Sequence, residues 1–175
     1  MHAGKLVFAQ VMEFAPWKTF SRLVSKFGGD ANVRTFRCMD QFLCMSFAQL
    51  TYRESLRDIE ACLGAQPTKL YHLGIRGNVT RSNLADANES RDWRIYENFA
   101  YALIRIARRL YASAAERGNA AAALSLGRLY DPAFLGRSVL GGVDPDPALA
   151  RQWYQRAADM GDQDAAPLLQ ALTAR

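Results

Sequence analysis

Apolar side chains recur every third or fourth position along most of this chain, and no stretch of useful length alternates apolar with polar residues. That periodicity predicts an all-α protein. Pro16 suits the first turn of a helix whose Trp17, Phe20, Val24 and Phe27 share one stripe, with Gly28-Gly29 as the stop. Asp40 is placed to cap a second helix in which Phe42, Leu43, Met45, Phe47 and Leu50 are apolar nearly all round, so this helix should be central and buried. Thr51-Tyr52-Arg53-Glu54 reads as a capping box that opens a third helix. Its Tyr52, Leu56, Ile59 and Leu63 then face inward, Arg53, Arg57, Asp58 and Glu60 face water, and Gly64 ends it.

Between residues 66 and 79 the pattern is mixed, with Pro67, Gly74 and Gly77 as punctuation and Leu70, Tyr71 and Leu73 expected to dock the connection onto the core. Thr80 is an N-cap for a short helix at Arg81–Glu89, anchored by Leu84 and either Ala87 or Asn88. Tyr96, Phe99, Ala100, Leu103, Ile106, Ala107 and Leu110 then hold a helical period. The end of that run also fits a second pattern. Ala114-Ala115-Glu116-Arg117-Gly118 recurs 43 residues later as Ala157-Ala158-Asp159-Met160-Gly161, and Ala107, Tyr111, Ala122 and Leu126 match Ala150, Tyr154, Ala165 and Leu169. Such repetition marks stacked helical pairs, with Gly118 and Gly161 making the turns. One continuous helix from about Arg91 to Arg117 is therefore expected to be shared by a compact helical front (1–110) and an α/α repeat (111–175).

Charge follows the same division. Residues 1–110 hold 16 Lys and Arg against 10 Asp and Glu, whereas residues 111–175 hold 6 against 7, so the net charge of +5 belongs to the front. An anionic partner for the front would explain this, and a chance excess of solvated arginine explains it equally well on composition alone. The three cysteines, Cys38, Cys44 and Cys62, form neither a disulfide framework nor a zinc spacing and read as reduced core residues. No uncharged run approaches the ~18 residues of a membrane span, and the apolar stretch Leu6–Met12 is a poor secretory signal, so a soluble cytoplasmic protein is expected, without a membrane partner.

Little here resembles catalysis. Asp86, Glu89 and Asp92 are spaced as a solvated helix face, His2 and His72 have no acidic or thiol neighbour in sequence, and Gly74-Ile75-Arg76-Gly77 is too short for a phosphate loop. No catalytic residue, metal or cofactor is expected. Nucleic-acid binding fits better: the helix at 52–63 followed by the polar helix at 81–89 is helix-turn-helix-like, although residues 65–80 are far longer than the usual tight turn. Arg76, Arg81, Asn83 and Arg91 are the candidates for DNA contact, with Arg53 and Arg57 steering phosphates.

Long runs carry a family resemblance. Asp40-Gln-Phe-Leu-Cys-Met45, Ala48-Gln-Leu-Thr-Tyr-Arg-Glu-Ser-Leu-Arg-Asp-Ile-Glu-Ala-Cys-Leu63, Lys69-Leu-Tyr-His-Leu-Gly-Ile-Arg-Gly77 and Leu84-Ala-Asp-Ala-Asn-Glu-Ser-Arg-Asp-Trp93 resemble the N-terminal domain of bacterial insertion-sequence transposases of the fourth group. In that family the front domain has no assigned function and is thought to help bind the element's DNA ends, while a following DDE nuclease domain of RNase H-like fold holds the metals. The nuclease pattern is missing after Ala107, and the acids at 86, 89 and 92 do not correspond to its triad. The remainder, with Leu126-Gly127-Arg128-Leu129-Tyr130, Gly142-Val143-Asp144-Pro145-Asp146 and Trp153-Tyr154, resembles a Sel-one-like repeat, a relative of the tetratricopeptide repeats. Its surplus length is expected in a loop at Asp131–Leu140, and its copies are fewer than the roughly three an array needs.

The resemblance implies a truncated transposase, not an enzyme, that binds the terminal inverted repeats of an element without cutting. The alternatives are a helical protein-interaction module, with Tyr130, Trp153 and Tyr154 anchoring a peptide, and a mobile-element remnant with no selected function.

Overall fold

The computed structural model describes residues 6–65, 67–135 and 144–174. His2, Gln66, Gly142-Val143 and positions 136–140 of the expected loop lie outside them. Among the described residues every regular element is helical and no strand forms. Packing divides the chain into two compact units, Met1–Phe99 and Ala100–Arg175.

The first unit is built from α1 (Val7–Met12), α2 (Trp17–Lys26), α3 (Cys38–Leu50), α4 (Leu56–Gly64), α5 (Pro67–Leu73), α6 (Arg81–Ser90) and the start of α7 (Arg94–Glu116). As its all-round apolar pattern requires, α3 is central, with Cys38, Leu43, Cys44 and Ala48 buried. On one side it meets Ile59 and Leu63 of α4, Leu73 of α5, and Leu84 and Ala87 of α6. On the other, the α2 stripe packs against Phe42 and Phe99: the Phe20 ring meets Phe99 edge-on at 4.9 Å, and Phe42 in turn meets Phe99 edge-on at 5.2 Å. Such aromatic pairs add about 0.5–1.5 kcal/mol each beyond their burial. Phe27 leaves this stripe, because α2 ends at Lys26 and the chain turns through Gly28 at φ 65°.

Two helix starts differ from expectation. Helix α3 opens at Cys38, so Asp40 lies within its first turn and reaches back to accept the Arg37 amide at 2.9 Å. The expected capping box at Thr51 is instead the end of α3. The Thr51 hydroxyl donates to the Phe47 carbonyl, the Arg53 amide reaches back to Ala48 O at 2.9 Å, and Tyr52 takes the left-handed conformation between them (φ 55°). This closure consumes residues 51–53 and leaves Tyr52 pointing outward, 91% exposed. The next helix therefore starts later, capped by Ser55, whose hydroxyl accepts the Asp58 amide. The connection after α4 also holds a helix that periodicity misses, α5, which buries Leu73 and then Ile75 but leaves Tyr71 exposed. Thr80 caps α6 as expected, accepting the Asn83 amide at 3.1 Å, and Leu84 and Ala87 are its buried anchors.

Helix α7 runs unbroken through the shared region, and the second unit continues it with α8 (Ala120–Arg128), α9 (Pro132–Leu135), α10 (Pro147–Asp159) and α11 (Ala165–Thr173). The repeat is legible in its turns. Gly118 and Gly161 both take φ 89°, with Asn119 N donating to Ala114 O at 3.1 Å and Asp162 N to Ala157 O at 3.0 Å. These are the same left-handed helix stop, made twice. Helix α10 packs on both α8 and α11 through Ala122, Ala150, Ala157 and Ala165. The closest approach is at Gly127, where an added Cβ would come within 2.5 Å of the Tyr154 ring.

Three substitutions test these backbone constraints by thermal or chemical unfolding. Gly161→Ala places a side chain in left-handed backbone and should cost about 1–2 kcal/mol. Gly127→Ala should cost about 1–3 kcal/mol by overpacking Tyr154. Tyr52→Gly, relieving the same conformation at an exposed site, should leave the protein more stable than wild type by up to about 1 kcal/mol.

Candidate nucleic-acid interface

The basic face of the first unit is organised around a buried carboxylate. Asp40 Oδ2 accepts the Arg37 amide, while Oδ1 accepts the amides of Arg76 at 2.6 Å and Gly77 at 2.9 Å. Gly77 sits so close that a Cβ there would lie 2.7 Å from the Thr35 carbonyl. The loop before α3 and the segment after α5 are thereby stitched side by side onto the first turn of α3. The next residue, Gln41, extends the link: its amide donates to Asn88 Oδ1, and its carbonyl accepts Arg91 Nη1 at 2.8 Å and the Tyr96 hydroxyl at 2.5 Å. Sequence reading missed Gln41 and gave Asp40 only a capping role. The available signal was a carboxylate beside an amide at the start of an otherwise apolar helix.

The six candidate DNA-contact residues fall into two groups. Arg53, Arg57, Arg76 and Arg81 are exposed. Arg76 lies over the Tyr71 ring, 3.5 Å from its centroid, which holds the guanidinium in place. Asn83 and Arg91 are half-buried and engaged within the protein. Asn83 Nδ2 donates to the Asn78 carbonyl at 2.8 Å, and Arg91 also donates to the Phe36 carbonyl. Helices α4 and α6 do pack together, but α5 intervenes in the chain. The outward face of α6 carries Asp86 and Glu89, so its N-terminal turn, with Arg81 and Ser82, is the end suited to an anion.

In the second unit Tyr154 is a correction to the peptide-anchor assignment. It is fully buried against α8, and its hydroxyl donates to Asp131 Oδ2 at 3.0 Å, so it offers no surface to a partner. Tyr130 and Trp153 are half-buried, each lying under a guanidinium, Arg108 at 4.0 Å and Arg156 at 5.3 Å from the ring centroids.

The thiols are free, with Cys38 and Cys44 buried and Cys62 half-buried. Burial, reinforced by the Asp30 side chain, pushes Cys38 up from 9.0 to about 11, and burial with the Asp40 charge pushes Cys44 up to about 12. Both are too protonated at neutral pH to act as nucleophiles. No group of three metal-ligating side chains gathers among the described residues.

Asp40→Ala should destabilise the protein by about 3 kcal/mol or more, because it orphans main-chain donors at about 1–3 kcal/mol each; Asp40→Asn, retaining an acceptor, should cost less. Denaturant titrations measure both. Native protein at pH 8 should label one thiol, Cys62, and unfolded protein three. Raised folded pKa values mean the native state holds its thiol protons more tightly, so the thiols' contribution to stability is complete below pH 9 and is lost as pH rises through 11 and 12.

Comparison with protein families matches residues 3–76 to a domain of unknown function (DUF4372) and residues 104–119 and 120–162 to the Sel1 repeat. Comparisons with curated proteins and with solved structures give no match. The chain thus carries a DUF4372 domain in its basic front unit and Sel1 repeats in its alanine-rich second unit.

Proposed function

We propose that the first unit binds DNA, as the end-binding domain of an insertion-sequence transposase, and that it does so without cleaving. The observation that carries this reading is the state of four arginines: Arg53, Arg57, Arg76 and Arg81 are exposed, and none has an acidic partner among the described residues. An unpaired surface guanidinium keeps its full charge for phosphate, and each phosphate it neutralises releases condensed counterions from the duplex. Arg81 stands at the positive end of α6, where dipole and side chain add. Asn83 and Arg91 serve as positioning residues in this reading, the first closing the loop before α6 and the second fixing α6 to α3. Their hydrogen bonds hold the arginine-bearing segments without reaching for bases. Of the acids nearby, Asp92 is already clamped by Arg94.

A second reading, protein binding by the repeat unit, rests on one contrast. Tyr154 is enclosed by its neighbours, whereas its counterpart Tyr111 is 38% exposed beside an exposed Leu110. That pair, rather than Tyr154, would meet a helical partner, with Tyr130 and Trp153 bordering the repeat core.

The DNA reading is tested by fluorescence anisotropy on duplexes carrying the terminal inverted repeats of a related element, across a salt series. Binding should be strongest at low salt, with Arg81→Ala weakening it on the order of ten-fold and lowering the log–log salt slope by about 1. Equal binding to scrambled duplexes removes the claim of end recognition. No binding at low salt removes the DNA reading.

A further inference from the structure

We propose that the cleft lined by Arg34, Arg37 and Arg76 is a phosphate clamp for the DNA backbone, a site distinct from Arg81 and one that rests on the DNA-binding reading above. The cleft has a volume of about 640 Å³ and is completed by Thr35, Gly74 and Asn78. All three arginines are exposed, and neither Arg34 nor Arg37 has an acidic partner among the described residues. The carboxylate that borders the cleft, Asp40, spends both oxygens on main-chain amides, and two of those amides belong to Arg37 and Arg76 themselves. The buried acid therefore fixes the backbone of two clamp residues that lie far apart in sequence.

Two further features favour a phosphodiester. Guanidinium groups present planar forks that match two phosphate oxygens at once, and several around one cleft suit the tetrahedral anion. Stacking on Tyr71 holds the Arg76 guanidinium in place before any ligand arrives, which lowers the entropy lost on binding. DNA is favoured over a free anion because the same unit also carries the exposed, unpaired Arg53, Arg57 and Arg81. Each clamped phosphate then contributes to the salt dependence without reading sequence.

The test is the affinity of the full chain for a duplex across a salt series, with the pairs Arg34→Ala/Arg37→Ala and Arg34→Lys/Arg37→Lys. These side chains are exposed, so the variants should fold, and circular dichroism melts confirm it. The alanine pair should weaken binding by ten-fold or more at physiological salt and lower the salt slope by about 2, equally for matched and scrambled duplexes. The lysine pair should keep the slope and lose only part of the affinity. An alanine pair with wild-type slope overturns the clamp and leaves DNA binding standing. A wild-type chain that binds no DNA overturns both. Loss of binding to phosphatidylserine vesicles in the alanine pair, with DNA binding unchanged, would assign the cleft to a membrane surface and also overturn it.

Discussion

The Asp40 carboxylate is the interaction on which the first unit depends. A buried acid is costly unless its oxygens are satisfied, and here three main-chain amides from two distant segments supply the donors. The arrangement does two things at once. It ends the loop before α3 with a satisfied helix start, and it brings the segment after α5 against that start, where Gly77 alone leaves room for the Thr35 carbonyl. The arginines on these two segments then share a cleft because their backbones share a carboxylate. Gln41 repeats the device one residue on, with Asn88, Arg91 and Tyr96 as its partners. A helix apolar along most of its length thus carries, in its first turn, the polar groups that organise the surface.

The second unit rests on a different constraint, closeness of backbones. Alanines at the α8–α10 and α10–α11 seams and a glycine under the Tyr154 ring allow helices to approach where larger side chains would hold them apart. The ring fills the space and its hydroxyl meets a buried acid, Asp131. Gly118 and Gly161 reverse the chain with the same hydrogen bonds, so the sequence repetition is a repetition of geometry. The Sel1 matches over residues 104–119 and 120–162 cover the α8–α10 seam and both turns.

Helices whose apolar stripe faces one partner were legible from spacing: Trp17, Phe20 and Val24 on α2, Leu84 and Ala87 on α6, and the unbroken α7. What failed was local in appearance and tertiary in cause. Thr51 to Glu54 has the composition of a helix start, but the backbone reversal closing α3 claims those residues first and turns Tyr52 outward. Helix α5 is too short to show a period. The candidate site was half legible. Exposed arginines can be guessed from a polar face, but the engagement of Arg91 and the convergence of Arg34 and Arg37 with Arg76 depend on contacts across 36 to 55 residues of chain. No periodicity encodes those contacts.

The central claim is that one carboxylate holds the two arginine-bearing segments together. Native-state amide hydrogen exchange on the free protein tests it most directly. The amides of Arg37, Arg76 and Gly77 lie outside helices, and the account predicts that they exchange as slowly as the helical amides of α3. Exchange at the rate of the exposed loop residues around them would contradict it.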